Sequence, residues 1–154
     1  MHLAGILAVD AVRANVKVTN KKRMLQDIAD LAANVYQMNA SLVFDGLQAR
    51  ELLGPTGVGR GVAIPHARLA GLKGVSGLFV RLDKPIDFDS VDHRPVDLVF
   101  ALLAPEEAGV EHLKALARVS RTLRDESICA KIRSTSDIAA IYAILTEFQN
   151  SQAA

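Results

Sequence analysis

Apolar residues recur at helical spacing early in the chain, at Met24, Leu25, Ile28, Leu31, Ala32 and Val35. Lys21, Lys22, Asp27 and Asp30 fall elsewhere on the wheel, so the pattern predicts an amphipathic helix. Asn39-Ala40-Ser41 breaks it and offers Ser41 as the N-cap of a second helix, which carries Val43, Phe44 and Leu47 inward. That helix is expected to end at Leu53, where Gly54-Pro55 supplies a stop signal. Upstream, residues 3–18 read as a loose lead-in with a short strand over Ala14–Val18.

From Gly54 to Gly61 there are four glycines in eight residues, which neither a helix nor a central strand tolerates. A loop is expected there, running into a strand-like Val62-Ala-Ile-Pro-His66 that ends on the histidine. Val75–Leu82 predicts a further strand and Ile86–Phe88 a short one. Val96–Leu103 is almost continuously apolar after Asp97, the pattern of a central strand covered on both faces. The last third is helical. Leu113, Leu116, Ala117, Ser120 and Leu123 define one face of a helix starting near Glu111, and a short helix is expected over Ser127–Arg133. Ser134-Thr-Ser-Asp137 resembles a capping box before Ile138, Ile141, Tyr142, Leu145 and Phe148. Helices, then strands, then helices point to an α/β protein, one sheet with helices packed on its faces.

Length and composition narrow this picture. At 154 residues the chain suits a single domain, since two would each be short of core. Eighteen basic residues against seventeen acidic ones leave a net charge of +1, too balanced for a general nucleic-acid or anionic-membrane binder. Cys129 is the only cysteine, so no internal disulfide can form, and it is expected as a small buried hydrophobe. Met1 to Val9 is apolar but short and has no basic leader. No run approaches the roughly 20 apolar residues that span a bilayer, so a cytoplasmic protein without membrane insertion is expected.

Candidate chemistry gathers around the glycine loop. It is not a Walker A loop, lacking Gly-Lys-Ser/Thr, nor a dinucleotide fingerprint, since it precedes a strand. It is either a plain tight turn or an anion-binding nest of backbone N–H groups. His66 follows Pro65, which fixes the backbone before the imidazole. A histidine in that place serves either as a partly buried structural residue or as a nucleophile. His112 opens the Glu111 helix near its free N–H groups, and either lies on the surface or helps hold an anion. Arg50 precedes the loop by four residues and has the planar fork that suits a phosphate, while Thr56 inside the loop could add a hydroxyl. The four histidines show no metal-ligand spacing, and no Gly-x-Ser-x-Gly elbow is present, so neither a metal site nor a serine hydrolase is expected.

Together these residues resemble a known family. The stretch Ala49-Arg-Glu-Leu-Leu-Gly-Pro-Thr-Gly-Val-Gly-Arg-Gly-Val-Ala-Ile-Pro-His66 is similar to the active-site signature of the mannitol/fructose-type enzyme IIA superfamily of the phosphotransferase system. Pro85-Ile-Asp-Phe-Asp, Pro95-Val-Asp-Leu-Val-Phe-Ala-Leu-Leu-Ala-Pro105 and His112-Leu…Leu116 agree, so the resemblance covers about residues 15–148. Lys21-Lys22-Arg23 and the lack of fused transporter or carrier domains resemble the nitrogen-type branch more than the sugar-transport branch.

The resemblance implies a single-domain α/β sandwich, a mixed β-sheet flanked by helices on both faces. It implies a phosphotransferase-system component with no cofactor, phosphorylated on His66, with His112 and Arg50 in the active site and Thr56, Gly57 and Arg60 near the phosphate. The donor would be an HPr-like phosphocarrier (NPr in the nitrogen branch), charged from phosphoenolpyruvate by enzyme I. Regulatory targets in the family include potassium transporters and sensor kinases. The alternatives are a sugar-specific enzyme IIA that passes phosphate to a IIB domain, and a binding or scaffolding module never phosphorylated. Pro55, Arg60 and Ala67 depart from the usual Ser, Asn and Gly. Arg60 is expected to replace lost polar contacts beside the phosphate, and Val58, Val62 and Leu69 to form the donor's apolar docking patch.

Overall fold

The computed structural model describes the backbone of residues 1–153 and the side chains of residues 1–147. After a 3-10 turn at Leu3–Gly5 come strand β1 (Leu7–Val16), helices α1 (Lys21–Tyr36) and α2 (Ala40–Leu53), and three short strands, β2 (Gly57–Gly59), β3 (Val62–Ala63) and β4 (His66–Leu69). Two long strands, β5 (Ser76–Ile86) and β6 (Val96–Pro105), precede helices α3 (Gly109–Arg124), α4 (Glu126–Arg133) and α5 (Ile138–Ala153). The strands form one mixed six-stranded sheet in the order β1-β5-β6-β3-β2, with β4 also on β6.

β6 is the axis of the sheet. It pairs antiparallel with β5 along its length and parallel with β3 and β4 on its other side. Every residue of β6 but Asp97 is buried, because helices cover both faces. α1 and α2 pack together on one layer, and α3, α4 and α5 on the other. At the centre Phe79 and Phe100 meet edge to face, 6.1 Å between ring centroids, both fully buried. Gly77 makes room for this, since a Cβ there would stand 2.8 Å from the Phe100 ring.

α1 and α2 form as their periodicity predicts, but the cap of α2 lies two residues earlier than expected. Asn39, not Ser41, accepts from the Leu42 amide at 3.1 Å, and Ser41 falls within the first turn. The short strand expected at Ala14–Val18 is instead the ten-residue β1. Register shifts between Leu7 and Val12 and between Arg13 and Val16, with Asn15 at φ 56°, break the alternation that would reveal a strand. Ile86 ends β5 rather than starting a separate strand.

The glycine segment contains the edge strand β2, folded back on β3 through a turn with Gly59, Arg60 and Gly61 all at positive φ. His66 begins β4 rather than ending a strand. β3 and β4 keep the same offset along β6, with Val62 opposite Leu98 and His66 opposite Leu102, so Ile64-Pro65 is a two-residue interruption in one line. Cys129 is buried as expected, its Sγ donating to the Leu123 carbonyl at 3.2 Å, and burial pushes the thiol up. Ser134 does not cap α5, since its hydroxyl donates to the Lys131 carbonyl; Asp137, just before the helix, accepts from the Ala139 amide, and Ile141 and Leu145 are buried. Phe148, expected on the same face, lies outside the residues whose side chains are described.

Candidate active site

β4 pairs only with β6 among the described residues, so its outer edge faces the ends of α2 and α3. There His66, Arg68, Arg50 and His112 line a shallow pocket of about 500 Å³ with Leu53, Leu113 and Leu116 on its walls. α2 approaches β4 closely because residue 46 is glycine: a Cβ there would stand 2.7 Å from Leu69 Cδ2 and 3.3 Å from the Ala67 Cβ. One turn later on the same helix, Arg50 reaches His66.

The Ile64-Pro65 interruption sets the imidazole. It frees the Ile64 carbonyl from the sheet, and His66 Nδ1 lies 2.8 Å from that oxygen. Arg50 Nε donates to His66 Nε2 at 3.3 Å. A carbonyl only accepts and a guanidinium only donates, so the neutral ring carries its proton on Nδ1 and a lone pair on Nε2. Burial pushes the His66 pKa below the usual histidine value, and Arg50 and Arg68 lower it further against the opposing Ile64 bond and Glu51 charge. His66 is therefore held neutral near pH 7, with the Nε2 lone pair available.

His112 stands beside it, 5.5 Å between ring centroids and at 67°. It is 4% exposed, and its pKa is lowered by burial first, then by His66 and Arg68. The face of α3 differs from the expected one. Leu123 is buried and Leu116 packs on the core as expected, but Leu113 is 62% exposed, and His112, Ala115, Val119 and Thr122 point inward. The His112 amide is bonded to the Ala108 carbonyl, so α3 offers the pocket an imidazole rather than a free N–H.

Of the residues expected around a phosphate, the pocket brings together Arg50, His66 and His112. Thr56 and Gly57 do not line it. Thr56 is buried and gives both its amide and its hydroxyl to the Glu51 carboxylate, at 2.8 and 2.6 Å. Lys21 closes the network with an ion pair to Glu51 at 2.7 Å. Gly57 lies against Ser90, whose Oγ leaves no room for a Cβ. Glu51 thus fastens the loop whose Gly54 carbonyl accepts from Arg50 Nη1 at 2.8 Å, so these residues orient Arg50.

Arg60 is not brought to the pocket. Its side chain reaches toward Glu126, 3.5 Å away on α4, and its carbonyl accepts from Arg133. The expected docking residues divide as well: Val58 is exposed, but Val62 is buried in the sheet. Sequence reasoning missed Arg68, which donates from Nε to His112 Nδ1 at 3.1 Å. Its signal was available, because a residue two places after His66 on a strand shares its face.

The sheet thus presents a histidine pair at this edge, one ring carrying an unprotonated Nε2 that faces Arg50. Residues 5–148 match the family described as phosphoenolpyruvate-dependent sugar phosphotransferase system, EIIA 2, and the chain belongs to that family. Within it, the chain is similar to the nitrogen regulatory proteins. That of Bradyrhizobium diazoefficiens is 52% identical over 145 residues, covering 94% of this chain and 95% of the relative. That of Escherichia coli strain K12 is 38% identical over 153 residues, 98% of this chain and 93% of the relative. The crystal structure of nitrogen regulatory protein IIA-Ntr from Neisseria meningitidis has a TM-score of 0.88 and 38% identity, covering 94% of this chain and 99% of that one. Among the described residues no helix is long and apolar enough to cross a membrane.

Proposed function

We propose that the chain is a cytoplasmic phosphoryl carrier that accepts phosphate on His66 Nε2 and regulates partners by its phosphorylation state. The donor is the phosphohistidine of an HPr-like carrier (NPr in the nitrogen branch), charged by enzyme I from phosphoenolpyruvate. The observation that carries this reading is the His66 ring, whose Nδ1 is tied to the Ile64 carbonyl while Nε2 faces Arg50 at the pocket.

In the transfer step the Nε2 lone pair attacks phosphorus and a new N–P bond forms. The donor's N–P bond breaks, and its electron pair returns to the donor imidazole. Such transfers ask the protein for alignment and charge stabilisation more than for covalent chemistry. Arg50 gives up its 3.3 Å bond to Nε2 and turns its N–H groups to the phosphoryl oxygens. His112 donates from the other side. Thr56, expected at the phosphate, acts instead through the Glu51 carboxylate that fastens the loop holding Arg50, and Gly57 lies against Ser90. The product carries about −1.5 to −2 additional charges on a chain whose formal charge is +1. That change at an exposed pocket edge alters which surfaces bind there, with potassium transporters and sensor kinases as the expected class of target.

Intact-mass analysis after incubation with enzyme I, an HPr-like carrier and phosphoenolpyruvate tests this. One acid-labile phosphoryl group on wild type and none on His66→Ala supports the carrier reading. No phosphate on wild type, with an active donor shown on a control acceptor, favours a binding module. Onward transfer to a purified sugar-specific IIB would instead favour the sugar-uptake role.

A further inference from the structure

His112 carries a feature that burial alone does not explain. Its Nε2 is buried and has no hydrogen-bond partner among the described residues. A buried polar group left unpaired is costly, so a fold keeps one only where something else compensates or a ligand completes it. The other ring nitrogen is not free, since Arg68 Nε donates to Nδ1 at 3.1 Å. A guanidinium has no acceptor, so Nδ1 must hold its lone pair and the proton of the neutral ring must sit on Nε2. The unpartnered atom is therefore a donor, in a ring 5.5 Å from His66.

Arg68 is well placed to impose this. It lies two residues after His66 on β4, so one short strand carries both the ring that takes the charge and the cation that orients its neighbour. The more familiar arrangement has a carboxylate or carbonyl fixing a functional histidine by accepting from it. Here the orienting group donates, and it selects the opposite tautomer. His66 and His112 end up complementary: the first has an unprotonated Nε2 that accepts from Arg50, the second a protonated one.

We propose that Arg68 is a positioning residue that locks His112 in the neutral Nε2–H tautomer, so that its unpartnered proton is kept for an oxygen of the phosphoryl group on His66. The inference rests on the carrier reading for its purpose, but not for its first test. Nitrogen-15 NMR of the histidine rings in the unphosphorylated protein reads the tautomer directly. Wild type should show His112 protonated at Nε2 with a lone pair on Nδ1. Arg68→Ala should mix the two forms, and Arg68→Lys, which keeps a donor, should restore the single one. Wild-type His112 protonated at Nδ1, or ring nitrogens unchanged in a folded Arg68→Ala, would overturn the proposal.

Single-turnover acceptance from the HPr-like donor supplies the second test. Loss of one transition-state donor typically slows a reaction 10²–10³-fold, and loss of its positioning should cost less, roughly tenfold for Arg68→Ala. Because Arg68 acts through His112, adding Arg68→Ala to His112→Ala should slow transfer little further. Effects that multiply in the double variant would mean that Arg68 acts independently of His112 and would overturn the role. Absence of any phosphorylation in wild type would count against the carrier reading, while the NMR result would still decide the tautomer.

Discussion

His66 and His112 share a physical condition: burial is the main force that lowers the pKa of both, and the charge of Arg68 adds to it. With the folded pKa below the unfolded one, the unfolded chain binds more protons as pH falls through about 6.5. Stability therefore falls over that window and levels off below the folded pKa values. Urea unfolding from pH 7.5 to 5 should show this slope, and a His66→Gln/His112→Gln variant should lose most of it. Phosphoryl acceptance should keep more than half its maximal rate at pH 6.5, because the His66 lone pair remains available there. Single-turnover rates across pH check this, and an acid limb centred above 6.5 would contradict the environment described. Arg60 gives a second prediction at this scale. It sits at φ 58° and its side chain reaches Glu126, away from the pocket. Arg60→Asn should leave the lifetime of phosphohistidine unchanged. Asn tolerates the left-handed conformation and the exposed ion pair is worth little, so stability should hold or rise by less than about 1 kcal/mol.

The elements around the pocket determine what can approach it. α2 ends with Leu52 and Leu53, 82% and 86% exposed, and α3 begins with Val110 and Leu113 in the open. Leu53 and Leu113 flank Arg50, Arg68 and His66 directly, so the two helix ends form an apolar rim around a cationic centre. Val58, by contrast, lies with Arg60 and Arg124 beside a different depression. Leu53→Glu should therefore slow phosphoryl transfer by about tenfold or more at unchanged stability, whereas Val58→Glu should have little effect. Transfer rates measured at several donor concentrations, with circular dichroism to confirm folding, distinguish the two surfaces. An equal loss in both variants would return docking to the glycine hairpin.

At the scale of the whole molecule, the site depends on β6 as a rigid rail. β3 and β4 share one register on it, so any distortion of β6 moves His66 relative to α2 and α3. Phe100 lies in the middle of that rail, against Phe79 and Gly77. Phe100→Ala should destabilise the protein by about 3–5 kcal/mol through the cavity it leaves, measured by denaturant unfolding. A loss under about 1 kcal/mol would mean that the core closes around the gap and that β6 is less rigid than its burial implies.

The sequence by itself determined the helices with strong periodicity, the apolar central strand and the local signature from Arg50 to His66. Each of these is written in short-range spacing, which hydrophobic burial reads directly. β1 was partly hidden because register shifts erase strand alternation. The inward face of α3 keeps Leu123 but turns to bury His112 and expose Leu113, which hydrophobic pattern alone cannot anticipate. Only the tertiary structure decided which residues meet. It brought α2, β4 and α3 to one sheet edge, drew in Arg68, gave Thr56 to Glu51 and turned Arg60 away to α4. Those outcomes depend on the direction of individual side chains across long sequence separations, and such directions are fixed only when the packed elements and their hydrogen bonds are satisfied together.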